Sequence, residues 1–282
     1  MISLKELKYV DTWAKKAPFP GKTYALETLE KMKEMFDKYN ANYNGKNYSI
    51  IFSDATELSF EILDFNICHM FGIDFKNLVA DREFGTGKYY ETFLTQVLGF
   101  DLANDKITSY KLTEAIVNNF EDVVRYDEQT DYRTLNYYKS RIKCAIFERM
   151  SEFEKFNFGK LYTHDNTLLL YTPSNEAVCP YFFVRLSRDQ NSDVYGISSL
   201  MAPEKNAVSP YFEHNAAIPT QMIIDDKENL NKIVATPKEK IAMLNLYKSI
   251  ITSTNVQDKM DISGDYLATL TELDSREKIY TK

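Results

Sequence analysis

The stretch Tyr48–Leu78, YSIIFSDATELSFEILDFNICHMFGIDFKNL, decides how the rest of the chain is read. Its opening, NYSIIFSD from Asn47, is an apolar run of strand length. In the following TELSFEILDF, Leu58, Phe60 and Ile62 fall on one side and Ser59, Glu61 and Leu63 on the other, the period of two that a half-buried strand imposes. Ser53-Asp54-Ala55 between the two runs has turn chemistry, so they are expected to form a hairpin. The hairpin runs into Asn66-Ile67-Cys68-His69-Met70-Phe71-Gly72. Asn66 suits an N-cap and Gly72 a helix end, which predicts a short helix with His69 in its first turn.

Upstream, LKELKYVDTWAKKA reads as a short helix stopped by Pro18 and Pro20. After Gly21, KTYALETLEKMKEMFDKYN places Ala25, Leu29, Met32 and Phe36 on one helical face, and NANYNGKN ends that helix as a polar turn. Downstream, residues 88 to 155 are helical in pattern. Three segments each carry one apolar stripe: Tyr89, Phe93 and Val97; Leu112, Ile116 and Phe120; Leu135, Tyr138, Ile142, Ile146 and Met150. Past Gly159 the period changes. KLYTHDNTLLLYTP, CPYFFVRLSRD and SDVYGISSLMAP are short aliphatic and aromatic runs divided by turn residues, as in an antiparallel meander. Beyond residue 226 the pattern is helical again, with a polar end.

A two-stranded hairpin is marginal alone, and the later meander is its natural partner. The expected class is therefore α+β: an antiparallel sheet of about five strands, with helices before it, inserted after the second strand and at the C-terminus. Residues 1–225 are expected to form a single domain containing the helical insert at about 88–155. Residues 226–282 are expected to be a C-terminal helical extension packed on it.

Composition narrows the function classes. The 282-residue chain is 44% hydrophobic and 14% aromatic, with 20 Tyr and 18 Phe but only 9 Gly and 8 Pro, which suits a folded core without long linkers. Its net charge of −7 counts against coating long DNA or RNA, because phosphate neutralisation supplies most of that affinity. A small basic pocket stays compatible with it. Cys68, Cys144 and Cys179 make no CxxC pair, so free thiols in a reducing cytoplasm are expected. The N-terminal MISLKELKYVDTWAKKAPFP lacks a leader's apolar core, and no run approaches the ~18 apolar residues of a membrane span. The expectation is a cytoplasmic protein with no membrane partner.

Sequence scanning finds no phosphate loop, zincin, nucleophile elbow or zinc-type cysteine cluster. Gly85-Thr86-Gly87-Lys88 lacks the spacing of a phosphate loop and reads as a loop leading into a helix. No cofactor and no metal are expected. His69 has two readings. It is either an acid/base group kept neutral near a helix start, or a half-buried histidine bonded to a carbonyl while Ile67, Met70 and Phe71 fill the core. Lys139-Ser140-Arg141-Ile142-Lys143 is the densest basic cluster, and Lys139 and Lys143 share a helix face. They would hold an anion, or simply solvate the helix. In Tyr195-Gly196-Ile197-Ser198-Ser199 the hydroxyls would orient a phosphate, or merely end a strand. His164 and His214 read as surface residues.

The strand pair running into NICHMFGI, followed by helices and then by KLYTHDNTLLLYT, YFFVRL and VYGISSL, resembles the phage and conjugative-element members of the barnase–EndoU–colicin–RelE (BECR) nuclease superfamily. Asn66, His69 and Gly72 match that group's Asn/Phe-x-x-His-Leu-x-Gly turn. Met70 replaces the usual Leu, and Phe71 stands where a small hydroxyl residue is common. The resemblance covers residues 45 to 220 in element order, and only the turn is motif-like. It implies a metal-independent endoribonuclease in which a base takes the ribose 2′ proton and cationic or hydroxyl groups steady the phosphorane. By carry-over His69 would be the base or acid, Lys139, Arg141 or Lys143 would hold the phosphate, and Ser198 or Ser199 would donate a hydrogen bond. The partner is then RNA, and the setting a toxin or host-takeover effector. The alternative is a non-enzymatic acidic protein of the same kind of element that binds a host defence or nucleic-acid-handling complex by mimicking phosphate.

Overall fold

The computed structural model describes residues 1–10, 12, 16–53, 55–80, 87–130, 133–156, 158–162, 167–188, 192–202, 219–226, 229–251, 271 and 274–279. It is α+β, and its residues fall into two compact units that the chain visits alternately. Met1–Asn44 and Ile62–Glu148 make a helical unit; Gly45–Glu61 and Arg149–Lys282 make a sheet unit.

The helical unit begins with α1 (Leu4–Lys8), shorter than the sequence pattern suggests and closed by a capping box. Ser3 Oγ accepts the Glu6 N–H, and Glu6 Oε2 accepts the Ser3 N–H at 2.6 Å. α2 (Lys22–Asn42) buries Ala25, Leu29, Met32 and Phe36 as their spacing predicts, together with Met35 and Tyr39. α3 (Ile67–Met70) comes next, then α4 (Gly87–Thr92), α5 (Ser109–Asn118), α6 (Phe120–Gln129) and α7 (Tyr137–Glu148). A single apolar stripe was expected of α7. Instead Tyr137, Tyr138, Ser140, Ile142, Lys143, Cys144, Ile146 and Phe147 are all buried, so most of its surface is enclosed by protein. Aromatic rings fill this core: Phe71 lies 6.1 Å from Phe36 and 5.5 Å from Phe147, and Tyr43 packs edge-on against Phe147.

Two polar devices hold α7. Asn136 Oδ1 accepts the Lys139 N–H at 3.0 Å, capping the helix, while its amide donates to the carbonyls of Tyr9 and Thr12 and so ties the N-terminal segment down. Asp127, fully buried at the end of α6, accepts from Thr134 N–H, Thr134 Oγ1, Leu135 N–H and the Tyr137 hydroxyl. Burial nevertheless raises its pKa to about 6, against the lowering effect of those donors.

The sheet unit corrects the expectation of about five antiparallel strands. Its sheet has eight, in the order β3-β4-β5-β6-β2-β1-β7-β8. β1 (Asn47–Phe52) and β2 (Glu57–Glu61) form the predicted hairpin, with Tyr48 opposite Phe60 and Ile50 opposite Leu58. β3 (Gly159–Tyr162), β4 (Thr167–Pro173), β5 (Tyr181–Ser187) and β6 (Val194–Met201) form an antiparallel run. The first stretch read as one strand is thus two. β6 then joins β2 in a parallel pair, so the sheet is mixed. β7 (Pro219–Asp225) pairs with the other edge of β1, and β8 (Leu230–Val234) pairs with β7. The sequence pattern predicts helix over residues 230–234. They are a strand because the adjacent β7 offers an unpaired row of backbone groups, a tertiary effect that outweighs local propensity. α8 (Pro237–Ile251) follows, as the helical pattern predicts. Among the described residues no helix is long and apolar enough to cross a membrane.

Candidate functional site

The conspicuous stretch of the sequence, Asn66–Gly72, is a tight local device. A 3-10 turn, Asp64–Asn66, leads straight into α3, so Asn66 stands at the N-cap position in helical backbone and its side chain makes no cap. The hydroxyl of Ser109 does that work, accepting the Cys68 N–H at 2.7 Å. The helix stops after one turn in a Schellman motif: Ile73 N–H donates to the Cys68 carbonyl at 2.8 Å and Gly72 N–H to that of His69 at 3.2 Å. Gly72 has φ +79°, the left-handed conformation this motif needs.

Gly72 also lies against α7. A Cβ placed on it would sit 2.9 Å from the backbone nitrogen of Ser140 and 3.0 Å from its Oγ. That near backbone-to-backbone approach brings the His69 turn beside the basic segment of α7. His69 is exposed, while Ile67, Cys68, Met70 and Phe71 around it are buried. Its pKa is lowered to about 4, first by the protein packed around part of the ring and then by the ammonium groups of Lys143 and Lys139. One of the two readings of His69 has its pKa lowered by a helix start. The physical cause differs from the expected helix end, since four residues supply no appreciable helix dipole.

The other candidates separate. Lys139 is half-buried and Lys143 almost wholly buried, at 3% exposure, so Lys143 acts on the site through its field rather than from the surface. Arg141 points elsewhere. Its guanidinium lies 3.8 Å from Glu6, 3.6 Å from Glu27 and over the Tyr24 ring at 4.5 Å. Glu6 in turn accepts the Tyr24 hydroxyl at 2.5 Å. Burial opposes ionisation of Glu6, but Tyr24, Ser3 and Arg141 together hold its carboxyl below the ordinary range. Arg141 thus fastens α1, α2 and α7 together.

Ser198 belongs to the sheet unit. It is the extra residue where the β5–β6 register shifts, between the pairs Arg185–Ser199 and Leu186–Ile197, and its hydroxyl donates to the Arg185 carbonyl at 3.1 Å. Ser199 is half-buried in the same strand. His164, His214 and the pair Gly85-Thr86 lie outside the described residues. Cys68, Cys144 and Cys179 are free and buried, with burial pushing the three thiols up to about 11, 12 and 11. Such thiols are poor nucleophiles. Among the described residues no three His, Cys, Asp or Glu side chains gather as a metal site.

Sequence reasoning missed Phe65, which is 70% exposed in the turn preceding His69. Asp64, Phe65 and His69 form the solvent side of this segment, and Ile67, Cys68 and Met70 its core side. The available signal was the spacing of Phe65 and His69, four residues apart across a helical turn. The alternation of the preceding strand obscured it. Comparison with known protein families, with curated proteins and with solved structures finds no match.

Proposed function

We propose that the α3–α7 face of the helical unit binds single-stranded RNA and cleaves it by metal-independent transesterification, with His69 as general base. The observation that carries this reading is a solvent-facing imidazole whose pKa is lowered by partial burial and by two neighbouring lysines, in an otherwise acidic chain. A neutral ring nitrogen accepts the 2′-hydroxyl proton. The 2′ oxygen then bonds to phosphorus, the P–O5′ bond breaks, and the leaving oxygen takes a proton from water. Lys139 at the surface and Lys143 beneath it stabilise the charge that gathers on the phosphorane oxygens. A base with a pKa near 4 is weak at neutral pH. A bound phosphodiester offsets that weakness, because its charge opposes that of the lysines and raises the imidazole pKa while substrate is present. Arg141 and Ser198 have no part in this scheme, being committed to Glu6, Glu27 and Tyr24 and to the β-bulge.

The test is cleavage of total tRNA and of a fluorescent oligoribonucleotide in EDTA by wild type and His69→Ala. Cleavage in EDTA that falls at least ~100-fold in the variant supports His69 as the base. Equal cleavage by both proteins, or none by either, overturns the proposal.

The net charge of −7 favours a second reading, in which the acidic chain binds a basic, nucleic-acid-handling complex without catalysis. That reading requires binding to such a complex to survive His69→Ala unchanged, and loss of binding in the variant removes it.

A further inference from the structure

Phe65 is an anomaly in this chain. Among the described residues every other phenylalanine is buried or half-buried, whereas Phe65 exposes 70% of its surface. It is held in position on both sides. Leu63 accepts the Asn66 N–H at 2.9 Å to close the 3-10 turn, and the buried Ile67 and Cys68 anchor the start of α3. The ring is therefore presented to solvent by a fixed backbone, four residues before the likewise exposed His69.

The neighbourhood has two chemically different halves. Phe65 and the neutral His69 offer flat, uncharged ring faces. The α7 segment brought in by the Gly72–Ser140 contact supplies positive charge from Lys139 and Lys143. A ligand that satisfies both must carry a flat ring next to an anion. A nucleotide within a single strand has that form, and base–aromatic stacking beside a backbone-tracking cation is the general physics of single-strand recognition. A duplex does not, because its bases are already stacked on one another. Asp64 on the same exposed segment further disfavours a densely charged polyanion that offers phosphate alone.

We infer that Phe65 is the stacking platform for an unpaired nucleobase adjoining the phosphate held near His69 and Lys139, and so selects single-stranded over duplex RNA. This inference rests on the RNA reading above. It adds a specificity-determining residue rather than a second activity.

The test is fluorescence anisotropy with a labelled 2′-O-methyl oligonucleotide, which lacks the attacking hydroxyl and so reports binding alone. Phe65→Ala and Phe65→Leu are expected to weaken single-strand binding about tenfold and Phe65→Trp to restore it, with little change in weak binding to the duplex form. Leucine keeps apolar bulk without the ring, so it separates stacking from simple burial. Because Phe65 is exposed, its variants are expected to fold, which circular dichroism checks. Wild-type binding that is lost in Lys139→Glu but stays within twofold in Phe65→Ala overturns the stacking role and leaves the RNA reading standing. Failure of the wild type to bind the oligonucleotide at all overturns both.

Discussion

A side-chain carbon on Gly72 would come within 2.9 Å of the backbone nitrogen of Ser140, so the turn that carries His69 is fixed to α7 by the absence of an atom. Two independent requirements meet at Gly72: a positive φ of +79° to end α3, and room for a helix backbone alongside. Gly72→Ala is therefore expected to destabilise the protein by about 2–5 kcal/mol, combining left-handed strain with overpacking. Urea denaturation measures it. Ser140→Gly in the same chain should recover little, since the close atom is backbone; full recovery would mean that Ser140 Oγ, not the main chain, sets the approach.

Ser140 itself is buried, and its hydroxyl has no hydrogen-bond partner among the described residues. Removing an unsatisfied buried hydroxyl relieves a desolvation penalty, so Ser140→Ala is expected to stabilise the fold by about 1 kcal/mol. A loss of similar size in the denaturation midpoint would show that the oxygen is bonded in solution.

Asp127 gives a pH-dependent prediction. Its folded pKa of about 6 lies above the 3.8 of an ordinary aspartate, so the folded state holds the proton more tightly than the unfolded chain. The sign follows: this contribution is complete below about pH 4 and is lost as pH rises through about 6, on the order of 3 kcal/mol in all. His69 works in the opposite sense. Its folded pKa is depressed, so its contribution is full above about 6.5 and declines as pH falls toward 4. Comparing wild type with Asp127→Asn separates the two, and the stability of wild type relative to the variant should rise from pH 7 to pH 4. A relative stability that falls toward low pH contradicts the assignment. Asp127→Ala leaves four donors unanswered in the core and is expected to cost about 3–5 kcal/mol.

The electrostatic coupling at the site is directly observable. The His69 ring proton signals should titrate near pH 4 in wild type and at higher pH in Lys139→Met, because one of the two nearby positive charges is gone. Titration of the wild type near 6.5 would mean that neither burial nor the lysines act on the ring, and would remove the basis for treating it as a field-controlled base.

At the β-bulge, Ser198→Ala deletes one hydrogen bond, 3.1 Å long, to the Arg185 carbonyl. A loss of about 1 kcal/mol in stability with unchanged RNA cleavage is expected. A large loss of cleavage without a stability change would return Ser198 to the reaction.

Much of the local structure was written in short-range pattern. Leu58 and Phe60 announced β2 by their alternation; Ala25, Leu29, Met32 and Phe36 announced α2; and Gly72 announced the end of α3. Those signals are legible because each is a repeat, or a backbone demand, contained within a few residues. The basic cluster of α7 was legible as a cluster but not as a site. Lys139, Arg141 and Lys143 leave the helix in different directions, and only the neighbouring elements decide that one is half-exposed, one clamped between Glu6 and Glu27, and one buried.

By itself, then, the sequence determined the α+β class, the β1–β2 hairpin and most helix positions. Tertiary structure decided that Leu230–Val234 is a strand, that β6 joins β2 in parallel, and that Ser198 is spent on a bulge. It also decided that the His69 pKa is lowered, first by the protein packed around the ring and then by Lys143 and Lys139, more than sixty positions further along the chain. The physical reason is the same throughout. Periodicity and capping act over one or two turns of chain, whereas strand pairing, burial of a charge and the field at an imidazole depend on which distant backbone and side chains arrive beside them.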